Sequence, residues 1–254
     1  MDILNYFHEE QAISFLLLFI RISFLLAFLP LFNNMSVPMV YKATFALYLS
    51  IIFYFEVEPP HLNSWLSIGM AILSEMVFSM FVGLTLSITL YLLMLAGEHI
   101  SLIMGFSMAT VFDYQSGISM PMISQFLNML ALLTLLSFDG HHLMLVFIHN
   151  SLNSLPLGGF VLSDNQVQYL IKAFKNMFVM GLSISFPIVA LSLLSDIMFG
   201  MLMKTMPQFN LLVIGYPIKI GIGFVVLIAV LGGMMLVFKR EYFLAFQHLE
   251  TLIK

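Results

Sequence analysis

The residues with the greatest capacity for chemistry are histidines and carboxylates near the middle of the chain. His141 and His142 follow Asp139 and Gly140, and His149 lies about two helical turns further on. Imidazole and carboxylate groups are common ligands of zinc. On a helix, however, adjacent side chains point about 100° apart, so His141 and His142 would not face one ion. With His149 they could form a loose cluster, but no acidic or third ligand stands at the spacing of a metal site, so we expect polar turn histidines and no bound metal.

Motifs of the common catalytic sites are missing from the sequence. Gly97-Glu98-His99 lacks the second histidine that zinc proteases carry four residues after the first. No serine lies in a Gly-x-Ser-x-Gly turn, and no glycine-rich loop ends in Lys-Ser or Lys-Thr. Asp139 and Asp196 have no flanking sequence typical of an intramembrane aspartyl protease. We therefore expect a protein that is not an enzyme and needs no cofactor.

The composition indicates a membrane protein. Of the 254 residues, 61% are hydrophobic and 9% are charged, whereas soluble domains average about 45–50% and about 25%. A chain this poor in charge must bury its outside in lipid or against partner subunits. The net charge of -4 argues against a nucleic-acid partner, and the absence of cysteine excludes disulfides and thiolate metal sites.

The apolar runs predict an all-α protein of one domain with about six helical segments. A membrane-spanning helix needs about 20 mostly apolar residues. The predicted segments are residues 12–32, 38–55, 65–95, 123–138 with a continuation at 143–148, 173–203 and 211–238. No sustained alternation of the kind found in outer-membrane barrels occurs.

Several charged residues lie inside these apolar runs. Arg21, Glu75 and Asp196 stand roughly 9–10 residues or more from the ends of their segments. A charge at the bilayer centre costs at least about 2.5–3.5 kcal/mol, so each should face another charge, a carbonyl group or water. Glu98 and Lys219 fall within or at the edges of later segments. We predict buried structural or interface pairs, with a proton relay as the alternative.

Residues 97–121 depart furthest from a simple membrane span. Apolar side chains alternate there with Gly105, Gly117 and small polar residues, which predicts a stretch too interrupted for a spanning helix. Irregular backbone at membrane depth is stable only when it is buried in protein or lines a cavity. From these properties a pore-closing loop and a packed interhelical loop without a gating role are equally good interpretations.

Short motifs follow one another along almost the whole chain in a recognisable order. They are Gly97-Glu98, the run 104–109 with Phe112-Asp113, Gln125-Phe126, Asp139-Gly140-His141-His142, Asn150-Ser151 with the run 155–158, Asp196 with Gly200, Met206-Pro207-Gln208-Phe209-Asn210, and Gly215-Tyr216-Pro217-Ile218-Lys219. In order and spacing they resemble the FliR family, export-gate subunits of flagellar type III secretion with homologues in virulence systems. The positions that carry the signature are Gly97, Gly140, His141, His142, Pro207, Gln208, Asn210 and Pro217.

The resemblance implies an assembly. Family members join, as a single copy, several FliP and FliQ subunits in a helical, cone-like gate in the bacterial inner membrane, within the flagellar basal body. FlhB surrounds the gate entrance, and unfolded flagellar export substrates pass through. Residues 1–165 would then be a FliP-like part and residues 166–254 a FliQ-like C-terminal hairpin.

The resemblance also implies that the loop at residues 105–121 plugs the closed pore. The candidate plug residues are Met104, Gly105, Phe106, Met108, Val111, Phe112 and Met120. Methionine suits such a seal because its flexible thioether can repack around different side chains. The alternative function is a proton-coupled secondary transporter that uses Glu75, Glu98 and Asp196, although the inverted repeat typical of transporters is not apparent.

Overall fold

The computed structural model describes residues 9–29, 32, 38–60, 62, 64–106, 121–206 and 211–253. All regular elements within these ranges are helical, which confirms the predicted all-α class. The helices are α1 (Glu9–Phe28), α2 (Met39–Phe53), α3 (Trp65–Met104), α4 (Met122–Ser137), α5 (Gly140–Ser154), α6 (Asp164–Thr205) and α7 (Tyr216–Ile253). A 3₁₀ turn, Tyr54–Glu56, follows α2, and a π-helical turn, Leu211–Gly215, precedes α7.

Five of the helices are long and apolar enough to cross a membrane. They are α1, α2 with its 3₁₀ turn, α3, α6 and α7. The shorter helices α4 and α5 pass the same test only as a pair, which is bent by 65° at their junction. Counting that pair as one broken span gives six, in agreement with the predicted number of apolar segments.

Three predicted helix boundaries are wrong. Helix α3 continues to Met104, so the stretch that begins at Gly97 is helical in its first eight residues. Helix α6 begins at Asp164 rather than near residue 173, and α7 runs on to Ile253 past Lys239 and Arg240. Interruption of an apolar run ends a membrane span but does not end a helix, because polar residues with good helix propensity continue it.

The chain divides into two compact units. The first comprises Met1–Ile88, Leu136–Ala173 and Tyr242–Lys254, and the second comprises Thr89–Leu135 and Phe174–Glu241. The helices α3, α4, α6 and α7 each contribute to both units. The proposed division into FliP-like and FliQ-like parts at residue 165 follows different boundaries and stays a prediction.

In the first unit, α1 and α3 approach through small residues. Ser79, Gly83 and Ser87 recur every four residues on α3 and therefore share one face. The hydroxyl groups of Ser79 and Ser87 donate hydrogen bonds of 2.9 Å to the carbonyl oxygens of Arg21 and Phe28 on α1. A Cβ added to Gly83 would collide with the Phe28 side chain. This spacing lets two apolar helices come close, as small residues do in membrane bundles.

In the second unit, α3 meets α4 and α6 in the same way. A Cβ on Gly97 would collide with the backbone of Ser124, whose hydroxyl donates to the carbonyl oxygen of Met94 at 2.9 Å. A Cβ on Gly181 of α6 would lie 3.2 Å from the carbonyl oxygen of Leu92. Glycine at these two positions therefore sets how closely the helices pack.

Candidate functional site

The strongest polar feature of the first unit is a buried ion pair between α1 and α3. Arg21 and Glu75 are both fully buried. The Arg21 Nε donates to Glu75 Oε2 at 2.5 Å and Nη2 donates to Oε1 at 2.8 Å. Two parallel N–H···O bonds are the strongest geometry for this pair of groups. The prediction that Arg21 and Glu75 are buried and paired is consistent with this arrangement.

The ion pair also holds the end of α5 and the turn after it. Arg21 Nη1 donates to the carbonyl oxygens of Ser151 and Leu155, at 3.4 and 3.2 Å. The backbone N–H of Gly158 donates to Glu75 Oε1 at 2.6 Å. Gly158 has φ +76°, and a Cβ there would lie 2.6 Å from the Ala71 Cβ. Both the backbone angle and the close neighbour therefore require glycine at this position.

This network gives four hydrogen bonds to the Arg21 guanidinium and three to the Glu75 carboxylate. The Arg21 guanidinium also lies 4.9 Å from the centre of the Phe78 ring, a cation–π contact. The arrangement is suited to fixing three chain segments, α1, α3 and the end of α5 with its following turn, relative to one another within the unit.

A second ion pair joins α6 and α7 in the second unit. Lys219 Nζ donates to both carboxylate oxygens of Asp196 at 2.8 Å. The Lys219 side chain is 8% exposed and the Asp196 side chain 49% exposed in the isolated chain. Asp196 and Lys219 were predicted as buried structural or interface charges without assigned partners, and in the structure they pair with each other. Glu98 lies exposed on α3.

The end of α3 is a capped helix terminus that packs on α7. Gly105 has φ +87°, its N–H donates to Leu102 O at 3.2 Å, and the Phe106 N–H donates to Ser101 O at 2.9 Å. This pair of bonds is a Schellman motif, in which a left-handed glycine ends the helix. Helix α3 therefore stops because Gly105 takes a conformation that most residues avoid.

Two residues at this terminus, Met104 and Phe106, lie against α7. Met104 is fully buried, and a Cβ on Gly223 would lie 2.5 Å from its Cε and 2.9 Å from its sulfur. The rings of Phe106 and Phe224 meet edge to face with centres 5.9 Å apart. The missing side chain of Gly223 thus provides the space that Met104 occupies.

The remaining candidate plug residues lie outside the described part of the chain. These are Met108, Val111, Phe112 and Met120, and the signature residues Pro207, Gln208 and Asn210 lie outside it too. Pro217 is described and sits in the first turn of α7, where its missing N–H costs no helical hydrogen bond.

The histidines at the start of α5 lie closer together than adjacent side chains on a regular helix were expected to lie. Asp139 has φ +58°, a left-handed conformation immediately before Gly140 begins the helix. The rings of His141 and His142 have centres 4.2 Å apart, and Asp139 Oδ1 lies 3.3 Å from His142 Nδ1. One ligand atom from each of the three residues lies within 4.8 Å of the others. The predicted divergence of the adjacent histidines, and the predicted lack of an acidic ligand near them, are therefore wrong for this turn.

Comparison with known proteins decides the family. The model of a family described as bacterial export proteins, family 1, matches residues 12–244. The flagellar biosynthetic protein FliR of Bacillus subtilis is 33% identical over 94% of this chain and 94% of its own length. The chain belongs to the FliR family of bacterial export proteins. FliR of Escherichia coli is 29% identical over 85% of the chain and 84% of its own length, and that of Borreliella burgdorferi 28% identical over 100% and 96%.

Membership of the FliR family confirms the resemblance drawn from the motifs. It makes this chain a component of the flagellar export apparatus, and its helices fit a membrane location. The relatives are named for flagellar biosynthesis, and neither their names nor the family description denotes an enzyme.

Sequence reasoning missed the glycines that make this FliR-family chain pack. Gly83, Gly158 and Gly223 each admit a close neighbour, at Phe28, Ala71 and Met104 respectively. The four-residue spacing of Ser79, Gly83 and Ser87 inside an apolar helix was a usable signal. No sequence signal distinguished Gly223 from the other glycines of the same helix. Gly221, Gly232 and Gly233 also lie there, yet the structure has open space around them.

Proposed function

We propose that the chain is a single-copy subunit of the flagellar type III protein export gate in the bacterial inner membrane. It would assemble with FliP and FliQ, contact FlhB, and contribute to a pore for unfolded flagellar substrates. The observation that carries this proposal is FliR-family membership over residues 12–244. The two buried or half-buried ion pairs supply rigid joints within each unit, which a conduit wall needs.

The exposed apolar faces of the last two long helices support an assembled state. In the most apolar 18-residue window of α6 only 28% of residues are buried, and in that of α7 only 17%, compared with 72% in α3. Exposed side chains such as Phe186, Val225 and Ile228 must be covered by lipid or by other subunits. Helices of a subunit that packs into a larger membrane complex have this property.

The capped end of α3 supports the proposed position of the plug. The Schellman motif at Gly105 and the ring contact of Phe106 with Phe224 give the following segment a fixed starting point in the second unit. A plug must yield while its base stays attached, so a firm anchor next to an apolar, glycine-containing sequence suits this role. The plug itself is proposed as residues 105–121.

Copurification tests the assembly. The chain is coexpressed with FliP and FliQ of the same bacterium, FliP is affinity-purified in detergent, and native mass spectrometry measures the copies of each subunit. We expect one copy of this chain in each complex that contains FliP and FliQ. A chain that purifies as a stable monomer and never joins them would contradict the proposal.

Ion leak tests the plug. Phe106, Met108 and Val111 are replaced together by glycine, and ion conductance is measured in membranes that contain the assembled complex. We expect a higher leak than in wild type, because the apolar seal is lost. The matched control replaces Leu102, Leu133 and Val146, exposed apolar residues of α3, α4 and α5, by alanine. Wild-type leak in a fully assembled triple-glycine variant would place the seal elsewhere.

A further inference from the structure

We propose that Asp139, His141 and His142 form a binding site for one divalent transition-metal ion, with zinc as the best-fitting candidate. The three residues supply two imidazole nitrogens and one carboxylate oxygen, all within 4.8 Å of one another. The export proteins with which the chain compares are named for no metal.

The backbone at the start of α5 creates the cluster. Asp139 is the one non-glycine residue with positive φ in the described chain, at 58°. The N–H groups of His142 and Leu143 both donate to the Asp139 carbonyl oxygen, at 2.9 and 3.3 Å, which closes the first turn over this residue. Residues three apart on a turn share one face, so the Asp139 carboxylate and the His142 ring meet.

The left-handed backbone conformation of Asp139 is energetically unfavourable for a residue other than glycine. Non-glycine residues pay for this conformation, and aspartate tolerates it better than most because its side chain bonds locally. Asp139 makes no side-chain cap hydrogen bond to the helix. The common reason for an aspartate before a helix is thus lacking, while its carboxylate stands beside two imidazoles.

His141 carries the second indication of a ligand. Its Nδ1 atom is buried and has no hydrogen-bond partner among the described residues. A buried polar atom without a partner costs free energy, so native structures nearly always satisfy it with protein, water or an ion. The ring of His142 lies against that of His141 at 4.2 Å, with 37° between the planes.

The donor set selects the kind of metal. Imidazole nitrogen and carboxylate oxygen suit zinc and neighbouring first-row metals, whereas calcium and magnesium prefer oxygen alone. Tetrahedral zinc with bonds of about 2.0–2.1 Å holds its ligands roughly 3.3–3.5 Å apart. The ligand atoms must therefore close up somewhat on binding. The Asp139 and His142 side chains are 73% and 65% exposed and have the freedom to do so.

The exposure also leaves coordination positions open. Three protein ligands with water in the remaining positions is a common arrangement for zinc. A bound ion would tie Asp139 to the first turn of α5 and would stabilise the strained backbone at Asp139. The role that this predicts is a local clamp at the beginning of the helix.

Equilibrium dialysis of zinc against the purified FliP–FliQ-containing complex tests the site, with purification tags that contain no histidine. The wild-type chain is compared with His142→Ala and Asp139→Asn. The matched control is His248→Gln, because His248 is an exposed histidine on α7 outside the cluster. The background is the zinc bound by a FliP–FliQ complex that lacks this chain and is prepared free of zinc.

We expect one extra zinc per copy of this chain in wild type and in His248→Gln, and at least a tenfold loss of affinity in His142→Ala. Cobalt in place of zinc should add visible absorption bands that the same variant loses. If His142→Ala prevents assembly, Asp139→Asn gives the same comparison with a smaller change. No binding above background in wild type, or equal binding in all variants, would overturn the proposal.

Discussion

Arg21 shows why a buried charge in an apolar helix needs a specific partner. Its guanidinium meets Glu75 in two hydrogen bonds and two backbone carbonyl groups in two more. Both side chains are fully buried. Burying the two charges costs a large desolvation free energy, and their mutual attraction offsets it. The net contribution of the pair to stability therefore depends on the presence of both residues.

Replacing Arg21 alone should strongly destabilise the protein. We expect Arg21→Leu to cost about 3–5 kcal/mol, because Glu75 would be left as an uncompensated buried charge. The double variant Arg21→Leu with Glu75→Leu should recover most of that loss. Thermal unfolding of the purified complex and the amount of chain in membranes are the measurements. A double variant less stable than either single variant would show that the pair itself is strongly net favourable.

The Asp196–Lys219 pair should respond unequally to loss of either member. Lys219 is the buried member and Asp196 is half exposed. Asp196→Asn leaves a buried cation with a weak partner, whereas Lys219→Met leaves a carboxylate that is half exposed in the isolated chain. We therefore expect Asp196→Asn to lower the unfolding temperature of the complex more than Lys219→Met does. The reverse order would mean that Asp196 becomes the buried member on assembly.

At the scale of elements, glycines and serines decide which helices touch. Ser79, Gly83 and Ser87 bring α3 against α1, and Gly97 brings α3 against α4. In an apolar environment, close backbone approach gives packing contacts that the hydrophobic effect does not supply. The positions of glycine and serine therefore determine which of the long apolar helices pack closely against one another.

Gly223 and Gly221 offer a matched test on one helix. A Cβ at Gly223 would press on Met104, whereas Gly221 has nothing within 4 Å. Both changes to alanine raise helix propensity by about 1 kcal/mol. We expect Gly221→Ala to be neutral or stabilising and Gly223→Ala to displace Met104 and destabilise the complex by roughly 1–3 kcal/mol through overpacking.

The double variant Gly223→Ala with Met104→Ala checks the cause. Shortening Met104 removes the atoms that the new methyl group meets, so part of the lost stability should return. The free energies of unfolding of the two single variants would then not add. Strict additivity would mean that the two residues do not interact in the assembled protein.

At the scale of the whole molecule, the exposed apolar surface demands a non-aqueous or protein environment. Leu227 is 3% exposed and its neighbour Ile228 is 73% exposed on α7. The chain itself therefore packs only one side of this helix. Its other side, with Val225 and Leu236, is left for lipid or other subunits.

Placing a charge on that face should prevent incorporation of the chain. Ile228→Asp would cost little in a water-facing position, but about 2.5–3.5 kcal/mol at the centre of a bilayer. We expect a marked fall in the amount of chain recovered from washed membranes and in FliP complexes. The control is Gln247→Asp on the exposed side of the last turns of α7. Equal recovery of both variants would show that Ile228 faces water.

Sequence patterns predicted some of these features well because the features are local. The helical class and the number of apolar segments follow from composition and run length, and family membership follows from the order of short motifs. Boundaries were less predictable. Helix α3 ends where Gly105 turns left-handed and its cap bonds form, not where the apolar run weakens.

The candidate site was predictable only in part. The sequence required that Arg21, Glu75 and Asp196 find partners, because a charge in an apolar segment is too costly alone. It did not identify those partners: Glu75 lies 54 positions after Arg21, and Lys219 lies 23 after Asp196. The plug residues beyond Phe106 stay a prediction, as the described chain does not include them.

By itself, then, the sequence determined a helical membrane protein of the FliR family with buried charges that must be paired. These properties depend on residue type and short-range order. Only the tertiary structure decided that Arg21 holds the turn at Gly158 through Glu75, that Met104 fits over Gly223, and that Asp139 meets His141 and His142. Each of these depends on long-range packing or on a backbone angle, which spacing along the chain does not encode.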